Sequence, residues 1–135
     1  MPLVAISPPP LAPVPGTVLR ILLADDMPEL CELSCRALSR AGHQVDSVGD
    51  GAQALQRLTQ AGSAYDLLIT DHHMPVMDGL TLVSRVRALP FAGRILVATS
   101  DSNPAVAGAY AALGVRQLLG KPLSVDALQR ALAGG

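Results

Sequence analysis

The sequence predicts an α/β fold in which a doubly wound, five-stranded parallel sheet is covered by helices on both faces. From residue 18 onward, short apolar runs alternate with segments of helical periodicity. Most of the runs are apolar throughout, which is typical of strands buried on both faces of a parallel sheet. The 135 residues are enough for one domain, which we expect over residues 18–133.

Five short segments have the composition of strands. Most are near-continuous apolar runs, such as VLRILLA, which two acids follow, whereas HQVDSV alternates apolar and polar residues. Both patterns favour strands over helices at these lengths. The predicted strands cover residues 18–24, 43–48, 66–71, 94–100 and 115–119.

Helical periodicity and terminal signals predict five helices between and after these strands. Proline is favoured in the first turn of a helix and glycine just past its end, and Pro28 and Gly42 bound the first helix in this way. Asp50, Asn103 and Ser124 stand where side chains cap helices. The predicted helices cover about 28–41, 51–61, 79–89, 104–113 and the segment after Ser124.

The predicted apolar stripe of the first helix leaves both cysteines of the chain outside it, toward the surface. Cys31 and Cys35 are four residues apart and therefore share one side of the helix. One such pair does not make a disulfide framework, so we expect two free thiols. The stripe consists of Leu30, Leu33, Ala37, Leu38 and Ala41.

The first 17 residues differ from the rest of the chain. They carry no charged side chain, and six of the 11 prolines fall within residues 1–15. This composition is typical of an extended, partly polyproline segment. We expect residues 1–17 to form a flexible leader outside the domain, and a docking tail for a partner groove is the alternative.

Composition excludes several classes of function. Aromatic residues make up 2% of the chain and the formal net charge is −1, so the sequence offers neither a stacking platform nor a basic surface for nucleic acid. It contains no apolar run long enough to span a membrane and no basic segment typical of a signal peptide. We therefore expect a cytoplasmic protein that binds neither nucleic acid nor membrane.

Reactive side chains follow the strands at their carboxyl ends, which meet at one edge of a doubly wound sheet. Asp25 and Asp26 follow the first strand, and Asp71 ends the third. Thr99 lies at the end of the fourth strand and Lys121 just after the fifth. Clustered carboxylates repel one another unless a cation lies among them, and their oxygen atoms favour Mg²⁺. Together these groups are typical of a phosphoryl-transfer site.

Four motifs, ILLADDMPE, LLITDHHMPVMDG, ILVATS and LLGKPL, occur in that order and at these spacings. They resemble the receiver domain of bacterial two-component response regulators, over about residues 18–133. The resemblance implies the flavodoxin-like strand order 2-1-3-4-5 and a phosphoprotein that acts in signal transduction.

The resemblance also implies a role for each matching residue of the acidic edge. Asp71 matches the phosphoacceptor, which becomes an aspartyl phosphate. Asp25 and Asp26 match the pair that holds Mg²⁺, with Asp26 as the expected direct ligand. The backbone carbonyl of His73 would complete the protein ligands of the metal.

Three further positions correspond to the part of the receiver domain that responds to phosphorylation. Thr99 matches the switch hydroxyl, and Lys121 matches the lysine that pairs with the phosphoryl group. The family often has an aromatic switch residue where this chain has Leu118, so we expect Leu118 to fill the edge of the core. The Lys121–Pro122 bond is a candidate cis peptide bond.

Side chains two residues after the acceptor and two after the switch hydroxyl tune phosphate lifetime in the family. These are His73 and Asp101, which we expect to contact the attacking water. His72 also follows the acceptor, but adjacent side chains point in different directions, so we expect no metal site shared by His72 and His73.

The resemblance implies a partner histidine kinase or histidine phosphotransfer protein as phosphodonor. Output would be protein binding through the face made of helix 4, strand 5 and helix 5, with the protein a monomer or a weak homodimer. The alanine-rich helix 4 contains Gly108, so we expect it to be weakly anchored and mobile, the alternative being close packing against the sheet.

A single-domain receiver would catalyse only its own phosphorylation and dephosphorylation. Several other kinds of protein are alternatives to it. A phosphohydrolase with an aspartate nucleophile after strand 1 needs an acid two residues later, where Met27 or Pro28 stands. A flavin-binding domain would need Ser, Thr and Gly in that loop. A receiver-like scaffold that ignores phosphorylation and a receiver fragment of a hybrid histidine kinase remain alternatives.

Overall fold

A computed structural model of the chain describes residues 18–61, 65–101, 103–115, 118–121 and 123–133. The Pro-rich leader and Pro122, with the candidate cis bond before it, lie outside these residues. Within them, five strands alternate with five helices, as predicted. They are β1 (Arg20–Ala24), α1 (Pro28–Arg40), β2 (Gln44–Val48), α2 (Gly51–Ala61), β3 (Leu67–Asp71), α3 (Gly79–Arg87), β4 (Arg94–Ala98), α4 (Pro104–Ala112), β5 (Leu118–Leu119) and α5 (Val125–Ala133).

The five strands form one parallel sheet in the order β2-β1-β3-β4-β5, which confirms the predicted fold class and strand order. The order reverses between β1 and β3, so the carboxyl ends of these two neighbours flank the crevice where such sheets bind ligands. In the register of the sheet, Ala24 pairs with Thr70 and Asp71 pairs with Ala98. This pairing brings the ends of β1, β3 and β4 side by side.

Apolar side chains pack into two clusters, one on each face of the sheet. One cluster contains Leu22, Leu68 and Val97 together with side chains of α2, α3 and α4. The other contains Ile21 and Leu67 together with side chains of α1 and α5. Neighbouring strand residues belong to opposite clusters because successive side chains of a strand point to opposite faces.

The helix caps predicted from the sequence are confirmed. The Asp50 carboxylate accepts a hydrogen bond from the Gln53 N–H at 2.8 Å. Asn103 and Ser124 accept in the same way, from Ala105 and Ala127, each at 3.0 Å. Such caps satisfy backbone N–H groups that have no partner inside the first turn.

The predicted apolar stripe of α1 was right at Leu38 but wrong at Leu33. The helix buries Cys31, Ser34 and Leu38, whereas Leu33 is 56% exposed. Residues 31, 34 and 38 follow the helical spacing and lie on one face, so the sheet covers a face that includes a thiol and a hydroxyl. Cys31 and Cys35 are free thiols, as expected, but Cys31 lies in the core and not toward the surface.

Helix α4 is held by few side chains, as predicted. Tyr110 is its one buried residue. A Cβ added at Gly108 would meet no atom within 4 Å, so the alternative of close packing against the sheet fails at that residue. None of the helices in the described part of the chain has the length and apolar character needed to cross a bilayer.

Candidate functional site

Two buried carboxylates and a lysine meet at the carboxyl edge of the sheet. Asp71 is the last residue of β3, and Asp25 directly follows β1. The Lys121 ammonium lies 2.9 Å from Asp71 Oδ2 and 3.1 Å from Asp25 Oδ2. The structure therefore brings together three of the residues that the strand ends predicted to converge.

Backbone hydrogen bonds fix the orientation of both carboxylates. Asp71 Oδ1 accepts from the His72 N–H at 2.7 Å, which leaves Oδ2 directed at Lys121. Asp25 Oδ1 accepts from the Met27 N–H at 2.9 Å, and the Asp25 N–H donates to the Val48 carbonyl at 3.1 Å. The acidic groups are thus preorganised before any ligand arrives.

Lys121 keeps its charge in this setting. Burial opposes the charged form, but hydrogen bonds to Asp71 and Asp25 outweigh burial and raise the pKa of Lys121 above its ordinary value. The lysine is therefore an ammonium across the pH range in which proteins work, and it supplies a fixed positive charge beside Asp71.

The acidic residues also fit a divalent cation. Asp25, Asp26 and Asp71 each offer one ligand atom, and these atoms lie within 4.8 Å of one another. Asp25 and Asp71 are buried and Asp26 is exposed. One ammonium against three carboxylates leaves two negative charges, and an all-oxygen donor set suits Mg²⁺. A cleft of about 490 Å³ lined by Asp25 and Asp26 adjoins this cluster.

Thr99 lies on the same edge and is linked to the start of α4. It follows Ala98, the register partner of Asp71, and its N–H donates to the Leu119 carbonyl at 2.8 Å. Its hydroxyl oxygen accepts from the Asp101 N–H at 3.1 Å. In the same way, Asp101 Oδ1 accepts from the Asn103 N–H at 2.9 Å, and Asn103 Oδ1 accepts from the Ala105 N–H at 3.0 Å. Ala105 already belongs to α4.

Leu118 packs against the cluster formed with α2, α3 and α4, at the edge of the core, as expected. His73 and Asp101 are brought together across two loops, with His73 Nε2 3.1 Å from Asp101 Oδ2. A hydrogen bond from the Asn103 N–H, and then one from His73, lower the pKa of Asp101 below its ordinary value.

Sequence reasoning missed a buried polar pair behind the acceptor. His72 is buried, and its Nδ1 lies 2.7 Å from the hydroxyl of Tyr110, which is fully buried in α4. The signal in the sequence was a lone tyrosine in a helix otherwise built of small residues. The His72 ring contacts the buried Tyr110 and the His73 ring contacts Asp101 nearer the surface, yet the two ring centroids lie 4.5 Å apart.

The loop after β3 is tightly folded around the acceptor. The Gly79 N–H donates to the His72 carbonyl at 2.8 Å. A Cβ at Gly79 would collide with the Asp71 carbonyl and with the Tyr110 hydroxyl, so this close approach requires glycine. Asp78 caps α3 by accepting from the Thr81 N–H at 2.8 Å.

Residues 21–133 match the family model described as "Response regulator receiver domain". The chain is 35% identical over 119 residues to the rice "Two-component response regulator ORR41", a match that covers 86% of this chain and 93% of that protein. It is 40% identical over 119 residues to the Escherichia coli "Sensor protein EvgS". That second match covers 85% of this chain but 9% of the sensor protein.

Solved structures give the same result. The chain is similar to the Vibrio cholerae chemotaxis protein CheY4, with a TM-score of 0.76 and 28% identity over 87% of this chain and 98% of that one. It is also similar to a receiver protein from Pseudomonas putida, with a TM-score of 0.77 and 24% identity over 89% of this chain and 99% of that one, a likeness of fold.

Proposed function

Because the chain belongs to the response regulator receiver domain family, we propose that it receives a phosphoryl group on Asp71 in a two-component or phosphorelay system. The donor is a phosphohistidine of a histidine kinase or a histidine phosphotransfer protein. The observation that carries the proposal is the contact of the buried Asp71 carboxylate with Lys121 at 2.9 Å, within a cluster of acidic residues.

In the proposed reaction, a carboxylate oxygen of Asp71 attacks the phosphorus atom. An O–P bond forms, the N–P bond of the phosphohistidine breaks, and its electron pair returns to the imidazole of the donor. Lys121 stabilises the charge on the phosphoryl oxygens from one side. Asp25, Asp26, Asp71 and the His73 carbonyl would hold Mg²⁺, which when bound would supply further positive charge against these oxygens.

The same geometry supports a switch that ends in altered protein binding. The Thr99 hydroxyl would move to the phosphoryl group and Lys121 would pair with it. The hydrogen bonds that run from Thr99 to the start of α4 give this motion a route to the face made of α4, β5 and α5. With Leu118 in place of an aromatic residue, the motion would not depend on rotation of a ring.

We also propose the following setting for this function. Residues 18–133 form the receiver domain and residues 1–17 a leader outside it. The protein acts in the cytoplasm, as a monomer or a weak homodimer. It is not an enzyme on an outside substrate, and a downstream protein reads its phosphorylated state.

The test is intact mass spectrometry after incubation with Mg²⁺ and either acetyl phosphate or phosphoramidate. The mass should rise by one phosphoryl group, and both D71A and removal of Mg²⁺ with EDTA should abolish the gain. D126N, which changes an exposed carboxylate of α5, is the matched control and should gain the group normally. A folded wild-type protein that gains no mass would favour the phosphorylation-independent scaffold instead.

His73 and Asp101 are proposed to set the lifetime of the aspartyl phosphate. Their side chains meet 3.1 Å apart, on the loops after β3 and β4. Water must approach the phosphoryl group to hydrolyse it, and a hydrogen-bonded pair at this position would orient or obstruct that water. If H73A and D101A both leave the decay rate unchanged, this role is excluded.

A further inference from the structure

We propose that His72, His73 and Asp101 form a second metal site, separate from the acidic cluster, that binds a borderline divalent cation such as Zn²⁺. Each of the three residues offers one ligand atom, and these atoms lie within 4.8 Å of one another. They come from two loops, the one after β3 and the one after β4, which the ion would join. The inference goes beyond the proposed function and does not depend on it.

The donor set distinguishes this site from the acidic cluster. Two imidazoles and one carboxylate are ligands that suit Zn²⁺, and catalytic zinc sites commonly use three such residues with water in a fourth position. The cluster of Asp25, Asp26 and Asp71 offers only carboxylates, which suit Mg²⁺. The two clusters should therefore select different ions at the same edge of the sheet.

Half of the site is already near coordination geometry. His73 Nε2 and Asp101 Oδ2 lie 3.1 Å apart. Two ligands of a tetrahedral zinc ion, each at about 2.0–2.1 Å from the metal, lie about 3.3 Å apart. The His73 side chain is 70% exposed, so an ion can reach it from solvent.

A second, independent observation concerns His72. This ring is buried, and its Nδ1 lies 2.7 Å from the hydroxyl of Tyr110, itself fully buried. Histidine ligands of metals almost always make such a bond from the second ring nitrogen to an oxygen atom, which fixes the tautomer and the orientation of the ring. With Nδ1–H donating to Tyr110, the lone pair of Nε2 is available to a metal.

The hydroxyl of Tyr110 is suited to this part. A neutral hydroxyl oxygen can accept from His72 without placing another charge in the core. Tyr110 is therefore a positioning residue for the site and not a ligand.

The test is calorimetric titration of the full, untagged chain with Zn²⁺ alone, in buffer that contains excess Mg²⁺ to occupy the acidic cluster. We expect one equivalent of Zn²⁺ to bind. H73A and D101A should each weaken binding at least about tenfold, because each removes a ligand. Y110F keeps the buried ring and should weaken binding about 10–100-fold by releasing His72.

Two controls separate this site from other sites that could take the ion. C31S/C35S removes both thiols and D126N a distant carboxylate, and neither should change Zn²⁺ binding. If D26N abolishes binding while H73A and D101A retain it, the ion lies in the acidic cluster and the proposal is overturned. Absence of a binding signal from the folded wild-type protein overturns it as well.

Cobalt supplies a spectroscopic check on the ligands. Co²⁺ in a tetrahedral site of nitrogen and oxygen donors absorbs visible light much more strongly than octahedral Co²⁺ does. We expect this absorption in the wild-type chain and its loss in H73A. Persistence of the same spectrum in both H73A and D101A would exclude these residues as ligands.

Discussion

Helices α1 and α4 share a proline near the start and a glycine past the end, but they are held against the sheet differently. Each has a proline near its start, Pro28 in α1 and Pro104 in α4. Each is followed by a glycine with positive φ, 98° at Gly42 and 86° at Gly114. The backbone around each glycine returns two hydrogen bonds to the last turn, as in a Schellman motif.

The two helices differ in what they bury. Helix α1 covers 13 residues and buries Cys31, Ser34 and Leu38, whereas the 9 residues of α4 bury Tyr110 alone. Terminal signals therefore fix where a helix starts and stops, while side-chain burial decides how strongly it is held to the sheet. This difference predicts that α4 is mobile and that α1, on the opposite face of the sheet, is firmly held.

Among the changes predicted here, Y110A should have the largest effect on the free energy of unfolding. Removal of this buried ring leaves a cavity and also deprives His72 of its hydrogen-bond partner, so we expect a loss of about 3–5 kcal/mol in the free energy of unfolding. L38A, the matched change in α1, should cost about 2–5 kcal/mol. Urea unfolding measures both. An α4 that keeps native amide protection in Y110A would show that Tyr110 is not its anchor.

Hydrogen exchange compares the two helices in the unchanged protein. Helix α4 has one buried anchor and α1 has three, so the slowest amides of α4 should exchange at least about tenfold faster than those of α1. A tenfold ratio corresponds to an opening free energy that is about 1.4 kcal/mol lower in α4. Mass spectrometry of peptides, or NMR, resolves the two segments. Slower exchange in α4 than in α1 would contradict the weak anchoring inferred here.

G108A should stabilise the protein by about 0.5–1 kcal/mol, since alanine loses less backbone entropy in a helix than glycine does. The new Cβ has open space around it. G114A, just past the end of the same helix, is the matched control and should destabilise, because its φ of 86° suits glycine alone. Thermal unfolding measures both, and a loss of stability in G108A would reveal packing at that position.

The smallest expected effect on stability concerns His43, which lies just after the end of α1. The Leu19 N–H donates to Nδ1 of His43 at 3.1 Å, and burial lowers the pKa of His43 below its ordinary value. The unfolded chain therefore binds a proton at a higher pH than the folded protein does. Stability from this contact is present above about pH 6.5 and declines as the pH falls toward the folded-state pKa.

Unfolding measured between pH 8 and pH 5.5 tests this contact of α1. H43N removes the titration of this side chain and is the control. The difference in unfolding free energy between wild type and H43N should shrink as the pH falls. A difference that stays constant with pH would mean that His43 does not hold α1 to β1 through its neutral form.

The order of the elements could be predicted from the sequence because strands and helices differ in apolar periodicity. The buried face of α1 could not be predicted in the same way. The helical spacing of the leucines and alanines predicted Leu33 to face inward and Cys31 outward. A free cysteine packs like a small apolar residue, however, and the sheet covers the face that holds Cys31. Which face is covered depends on the docking of the whole helix.

The residues of the candidate site also differ in whether their contacts could be predicted from the sequence. Asp25, Asp71 and Lys121 could be expected together because the carboxyl ends of parallel strands converge. The bond between His72 and Tyr110 joins residues 38 positions apart and depends on a bend after β3 and on the placement of α4. Neither is encoded in periodicity, so a pair of this kind becomes visible only in three dimensions.

The hydroxyl of Thr99 is already engaged, because it accepts the Asp101 N–H at 3.1 Å. Capture of that hydroxyl by any new group would exchange one contact for another, at a cost of about 0.5–1.5 kcal/mol for the N–H released. This cost is small beside the energy of a hydrogen bond to a charged group. Recovery of the contact with the Asp101 N–H nevertheless favours the original conformation of the loop once the charged group leaves. Reversal of the exchange is thus favoured by a contact of the resting conformation itself.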